Sequence, residues 1–137
     1  MEQSNRFAQE YLQPKITELF RHEKFDRDIY RQMGENGFLG CMANFNDNET
    51  ISYTGYGLVN REIERVDSAM RSLLSVQNSL VIFPINEYGT EKAKKRLLPK
   101  LMSGEFIGSF GLTEPDHGSD PGGMKTRVVK KVRNLDF

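Results

Sequence analysis

Apolar and polar positions follow a helical period over most of this chain. Between residues 4 and 20, Phe7, Tyr11, Ile16, Leu19 and Phe20 fall close to one stripe, with the charges elsewhere. Pro14 lies inside that window and predicts a kink or two shorter pieces. Asp26 is placed to cap a second helix carrying Ile29, Tyr30 and Met33, with Gly37 as its stop. Residues 40 to 52, with Asn44, Asn46, Asp47 and Asn48, predict a loop. Tyr56, Val59, Ile63 and Val66 then recur at helical steps, which places Arg61, Glu62, Glu64 and Arg65 on the outward face.

Met70, Leu73, Leu74, Leu80 and Val81 mark a further helix whose only charge is Arg71 near its start. A helix that is neutral all round predicts a central position in the domain. Thr90 is placed to cap a last helix through Leu98, with Ala93, Leu97 and Leu101 inward and Lys92, Lys94, Lys95 and Arg96 outward. Pro99 should end or bend that helix, and Gly104 should mark the turn that follows. Phe106, Ile107 and Phe110 then predict a short buried strand, and Val128, Val129 and Val132 a second. The fold expected is mainly α: an all-α domain over residues 1–104, then the start of a β region over 105–137, cut off inside a second domain.

The 137 residues suffice for one compact domain. Lys and Arg number 19 and Asp and Glu 19, so the formal net charge is zero. No basic excess points to nucleic acid, and no polybasic cluster to a membrane. The run from Lys125 to Arg133 is a short basic tail. Cys41 is alone, which removes a disulfide framework and a cysteine zinc site, and His22 and His117 are too far apart in sequence to suggest a metal cluster. The longest uncharged run, 72–86, is too short and too rich in Ser, Asn and Gln to span a bilayer. The first residues carry no apolar signal core.

Two places hold candidate chemistry. Arg71 stands at the entrance of the uncharged helix, where a planar guanidinium suits a carboxylate ligand. Ser72 adds a hydroxyl beside it, and Glu64 lies about two turns earlier if the helix continues. The other place is Phe110–Asp120, a loop leaving the expected strand. It carries Thr113, Ser119, His117, the carboxylates Glu114, Asp116 and Asp120, and backbone N–H groups able to face an anionic or polar ligand. Neither Ser119 nor Thr113 has the His–Asp company of a nucleophile. The glycines around Gly118 match neither a Walker loop nor a dinucleotide fingerprint. Residue chemistry alone ends at a helical domain with a possible anionic-ligand loop.

Longer segments carry a resemblance. Tyr-Gly-Leu-Val-Asn-Arg-Glu-Ile-Glu-Arg-Val-Asp-Ser (56–68), Arg-Ser-Leu-Leu-Ser-Val-Gln (71–77), Leu-Leu-Pro-Lys-Leu (97–101), Gly104-Glu105 and Phe-Gly-Leu-Thr-Glu-Pro-Asp-His-Gly-Ser-Asp-Pro-Gly (110–122) resemble the acyl-CoA dehydrogenase family. The similarity runs from about Gln13 to Arg127, and the Arg-Val-Asp-Ser and Arg-Ser segments resemble its glutaryl-CoA branch. The resemblance implies an N-terminal helical domain, then a β-barrel middle domain and a C-terminal bundle, with FAD between them.

It further implies that Phe110, Gly111, Leu112 and Thr113 line the flavin, with Gly118 and Ser119 near the FAD pyrophosphate and the CoA side. Arg71 and Ser72 match the pair that holds the distal substrate carboxylate, Glu64 matches their acidic neighbour, and Ser119 also lies toward the substrate. The implied substrate is an acyl-CoA, glutaryl-CoA by preference, converted to crotonyl-CoA and carbon dioxide. Electrons would pass to an electron-transfer flavoprotein, and the complete enzyme would be a homotetramer. Its place would be the mitochondrial matrix in a eukaryote or the cytoplasm in a bacterium.

Departures from the family pattern accompany this. Asp116 stands where Asn is usual, and Ala69-Met70 replaces a small-aromatic pair. The second flavin segment is missing and the catalytic glutamate has no counterpart, so no residue here is assigned as catalytic and no metal is implied. The chain is expected to be an N-terminal piece, inactive by itself. The competing expectations are a non-enzymatic helical interaction module or another branch of the same family.

Overall fold

Two prolines shape the helical layers. The structure is a computed structural model that describes residues 2–45 and 49–129. Helix α1 (Glu2–Arg6) runs through a π-helical turn, Phe7–Leu12, directly into α2 (Gln13–Arg21). The Gln13 N–H reaches back to the Ala8 carbonyl, one residue before Pro14. In a regular helix, proline lacks its own N–H bond and crowds the carbonyl four residues back. The wider turn moves that carbonyl aside, so the break expected at Pro14 becomes a π bulge in a continuous helical run. The same arrangement recurs where π-helical Val76–Ile82 links α5 (Ser68–Ser75) to α6 (Phe83–Tyr88): the Phe83 N–H bonds the Asn78 carbonyl and Pro84 follows.

Asp26 and Thr90 cap helices as expected, and Ser52, read as loop, caps another. Asp26 accepts the Asp28 N–H at 2.9 Å and starts α3 (Arg27–Glu35). That helix ends on Gly37, whose φ is +71°. The Gly37 N–H bonds the Gly34 carbonyl and the Phe38 N–H bonds the Met33 carbonyl, both at 2.9 Å. This pairing satisfies the last carbonyls and requires a residue at ease with positive φ. Ser52 caps α4 (Tyr53–Glu64), and Thr90 caps α7 (Glu91–Met102). Pro99 does not end α7, which continues to Met102. Pro99 and Lys95 both lie on the exposed face, where water can satisfy the Lys95 carbonyl that loses its partner.

Helix α4 packs against α1 and α5, and α7 against α6 and the π-helical segment. Leu12, Ile29, Met33, Ile63, Leu74 and Leu98 are fully buried in one apolar core. Each such side chain contributes roughly 1.5–3 kcal/mol by leaving water. Several positions depart from the helical stripes. Phe20 lies beyond the core and is 81% exposed, and Leu80 also faces out. Glu62, expected outward, is buried where α1 crosses α4. There it accepts from Asn5 Nδ2 at 2.8 Å and from Arg61 Nη2 at 3.0 Å. Periodicity marks a face as charged; it does not show that another helix covers that face.

The strand expected at Phe106–Phe110 does not form. Residues 107–113 belong to no helix, turn or strand, no described segment pairs with them, and Phe106, Ile107 and Phe110 are exposed. An unpaired strand leaves its backbone groups to water. The one bridge among the described residues joins Glu114 to His117. Val128 and Val129 are exposed and outside any strand, while Val132 and Asn46–Asn48 lie outside the described residues.

Candidate functional site

Helix α4 stops at Glu64, and Asp67 caps α5 by accepting the Met70 N–H at 2.8 Å. Between them the Val66 and Asp67 N–H groups both bond the Ile63 carbonyl at 3.0 Å, closing a tight turn. The helix therefore does not continue from Glu64 to Arg71. The turn brings the two together all the same: Arg71 Nε donates to Glu64 Oε2 at 2.6 Å. Ser68 Oγ donates to the other oxygen, Glu64 Oε1, at 2.6 Å. Arg71 Nη1 lies 3.4 Å from Ser75 Oγ, which itself donates to the Ser72 carbonyl.

The Arg71 and Glu64 side chains are 35% and 43% exposed, so the pair sits at a surface with its outer edge open. The Arg71 guanidinium, then the Ser68 hydroxyl, hold the Glu64 carboxyl below its ordinary range. A fixed guanidinium whose outer edge stays open is suited to a carboxylate ligand. Ser72 is exposed, and its hydroxyl takes no part in this network. Ser68 and Ser75 do, and sequence reasoning passed over both. For Ser75 the signal was position, since residues four apart on one helix share a face, whereas Ser68 reaches Glu64 only around the turn.

The uncharged helix is central for a reason that apolar counting missed. Gln77 and Asn78, on the π-helical segment, are 1% and 3% exposed. Asn78 accepts the Gly40 N–H at 2.5 Å and donates to the Phe38 carbonyl at 2.9 Å. Gln77 Nε2 donates to the Leu101 and Phe106 carbonyls at 3.0 and 3.1 Å, and its Oε1 accepts the Gly108 N–H at 2.9 Å. Two neighbouring amides thus pin the loops that leave α3 and α7. Gln77 sets the starting point of the segment leading to Phe110.

Beyond Gly108, the loop folds on itself. Glu114 and His117 exchange backbone hydrogen bonds at 3.1 and 3.2 Å around Pro115 and Asp116. The Glu114 carboxylate then accepts the Lys125 N–H at 2.9 Å, the Thr126 N–H at 2.7 Å and the Thr126 hydroxyl. The Lys125 backbone N–H, followed by Thr126, holds this carboxyl below its ordinary range. Glu114, read from sequence as one loop carboxylate among three, is what ties the loop together. His117 Nε2 is buried with no hydrogen-bond partner among the described residues. Cys41 is buried, and desolvation pushes its thiol up to about 11, which suits packing and not nucleophilic chemistry.

Phe110, Gly111, Leu112, Thr113, Gly118 and Ser119 are all exposed. No hydrogen bond among the described residues engages the main chain of 110–113. Around Gly111 and Gly118, nothing lies within 4 Å of where a Cβ would stand. Open N–H donors, a hydroxyl and unobstructed glycines are the chemistry one wall of a flavin site requires. No hydrogen bond or ion pair among the described residues links this loop to Glu64, Arg71 or Ser72.

The helical architecture is that of an acyl-CoA-dehydrogenase-type N-terminal domain. The family model described as acyl-CoA dehydrogenase, N-terminal domain, matches residues 1–105, and the chain belongs to the acyl-CoA dehydrogenase family. It is 36% identical over 129 residues to the mitochondrial isovaleryl-CoA dehydrogenase of Pongo abelii, covering 92% of this chain and 30% of that protein. Against an acyl-CoA dehydrogenase of Bacillus subtilis the identity is 32%, over 91% of this chain and 33% of that protein. The crystal structure of a glutaryl-CoA dehydrogenase from Mycobacterium smegmatis in complex with FADH2 superposes with a TM-score of 0.85 at 38% identity, over 91% of this chain and 32% of that one. The chain thus spans about a third of the length of the relatives it matches.

Proposed function

We propose that this chain is the N-terminal part of an FAD-dependent acyl-CoA dehydrogenase whose acyl group ends in a carboxylate, as in glutaryl-CoA. The observation that carries this reading is the Arg71–Glu64 contact at 2.6 Å, which fixes a partly exposed guanidinium at the α4–α5 turn. Arg71 grips the distal carboxylate, Ser72 flanks it, and Glu64 holds the guanidinium in place. A charge-assisted grip of this kind separates a dicarboxylic acyl group from a plain one.

Phe110, Gly111, Leu112 and Thr113 face the flavin ring, with the Thr113 hydroxyl and the nearby N–H groups toward its polar edge. Gly118 and Ser119 lie toward the pyrophosphate and the CoA. FAD, when bound, supplies the acceptor for the substrate's β-hydride. Residues 1–104 form the helical domain and 105–137 begin the middle β domain.

In the complete enzyme the reaction is oxidative decarboxylation of glutaryl-CoA to crotonyl-CoA and carbon dioxide. Electrons leave to an electron-transfer flavoprotein, and the assembly is a homotetramer. The catalytic glutamate comes from the C-terminal domain of the family, so the 137-residue chain is inactive alone. A purified chain that is yellow and dehydrogenates glutaryl-CoA would contradict that inactivity.

Titration of the chain with glutaryl-CoA and butyryl-CoA tests the specificity. Arg71→Ala is expected to weaken glutaryl-CoA far more than butyryl-CoA. The 36% identity to an isovaleryl-CoA dehydrogenase supports a second branch, with an uncharged acyl end. Equal losses for both ligands would favour that branch.

A further inference from the structure

Helix α7 carries five cations and one carboxylate within a chain whose formal net charge is zero. Between Lys92 and Lys100 its exposed positions are Lys92, Lys95, Arg96, Pro99 and Lys100, spaced so that they share one face. In the sequence these cations are interrupted by Ala93, Leu97 and Leu98 and do not stand out as a cluster. The helix gathers them because Leu98 and Leu101 turn into the core, 0% and 4% exposed. Glu91, the one carboxylate of the helix, pairs with Lys94 at 3.2 Å, and Glu105 beyond it pairs with Lys100 at 2.8 Å. No ion pair or hydrogen bond among the described residues engages the side chain of Lys92, Lys95 or Arg96. Arg96 stands four residues after Lys92, where like charges repel.

We propose that this face is a docking surface for an anionic lipid bilayer, held by electrostatics and reversible by salt. The cations lie along about 12 Å of one helix side. Lys92, Lys95 and Lys100 are point charges on long flexible stems, with Arg96 between them. Such a row suits phosphate headgroups that move laterally to meet it, each cation near the surface adding its own attraction. A specific protein partner is centred on buried aromatic or aliphatic side chains, and this face presents none. The adjoining Tyr88, 83% exposed just before the Thr90 cap, suits the headgroup level of a bilayer. The contact is peripheral: the apolar side of α7 is taken up by the core, and no helix among the described residues is long and apolar enough to cross a membrane.

The test is co-sedimentation of the 137-residue chain with vesicles of phosphatidylcholine mixed with phosphatidylglycerol, and with vesicles of phosphatidylcholine alone. The chain is expected to bind the mixed vesicles only, and to be released as salt rises. A variant carrying Lys92→Ala, Lys95→Ala and Arg96→Ala should bind roughly a hundredfold more weakly. Its circular dichroism should be unchanged, because alanine is a good helix former at exposed positions. Lys92→Arg with Lys95→Arg keeps the charge and should bind as the unaltered chain does. Lys130→Ala, Lys131→Ala and Arg133→Ala remove the same charge from the basic tail and should cost far less. Absence of binding, equal binding to both kinds of vesicle, a large loss in the charge-keeping variant, or an equal loss from the tail variant overturns the proposal. So does release by inorganic phosphate at an ionic strength where chloride leaves the chain bound, which would mark a discrete phosphate site in place of a lipid surface.

Discussion

Gln77 Oε1 accepts the Gly108 N–H at 2.9 Å across thirty-one residues of sequence, joining the centre of the helical domain to the segment that leads to the loop beginning at Phe110. The same side chain donates to Leu101 and Phe106, so one buried amide holds the end of α7 and the two residues flanking Ile107. Local geometry at the loop therefore depends on packing inside the domain.

Gln77→Ala removes three hydrogen bonds from a fully buried site and strands the backbone groups they served. The expected loss is about 2–4 kcal/mol, since each orphaned group bears its own desolvation cost. Urea denaturation measures it. Amide exchange at Gly108 should rise in the same variant even under conditions where α4 stays protected.

Gly108 approaches Val81 so closely that an added Cβ would stand 2.3 Å from Val81 Cγ1. Gly108→Ala should cost about 1–3 kcal/mol through overpacking. Combining it with Val81→Ala should recover part of the loss. Additive effects in that double-mutant cycle would show that the two side chains do not meet.

Glu62 couples α1 to α4 through Asn5 and its neighbouring arginines. The Asn5 hydrogen bond, then that of Arg61, holds its carboxyl below the ordinary value. A carboxyl lowered by folding stabilises the fold fully above its unfolded pKa of about 4.3, and loses that contribution as pH falls through the folded value. Glu62→Gln should therefore lower stability at neutral pH and flatten the acid limb of the stability curve. An unchanged acid limb would show that other carboxylates dominate it.

Glu114→Gln should loosen the loop without unfolding the helices. Hydrogen exchange at Lys125 and Thr126 should accelerate, because a neutral amide is a weaker acceptor for their N–H groups and presents one oxygen in place of two. The melting temperature of the helical domain should hardly move.

Much of the helical frame was legible because its signals are local. Asp26 and Thr90 accept N–H groups from their own helix starts, and Gly37 needs positive φ at a helix end, so neighbouring residues decide these features. The family motifs were equally legible, being contiguous runs. The alternatives open at Pro14 and Pro99 were settled outside the local sequence, because proline's effect depends on its surroundings. A π turn accommodates the first, and a solvent-facing carbonyl tolerates the second.

The sequence by itself determined the helix starts at Asp26 and Thr90 and the stop at Gly37, which residues carry the family resemblance, and that Arg71 is an unusual charge. Only the tertiary structure decided that Glu62 is covered, that Gln77 and Asn78 carry the loops, and that Arg71 meets Glu64 around a turn in place of along one helix. These are contacts between segments distant in the chain or redirected by a turn. Their energy depends on burial and on which hydrogen-bond partners arrive, and neither is encoded in the spacing of apolar residues.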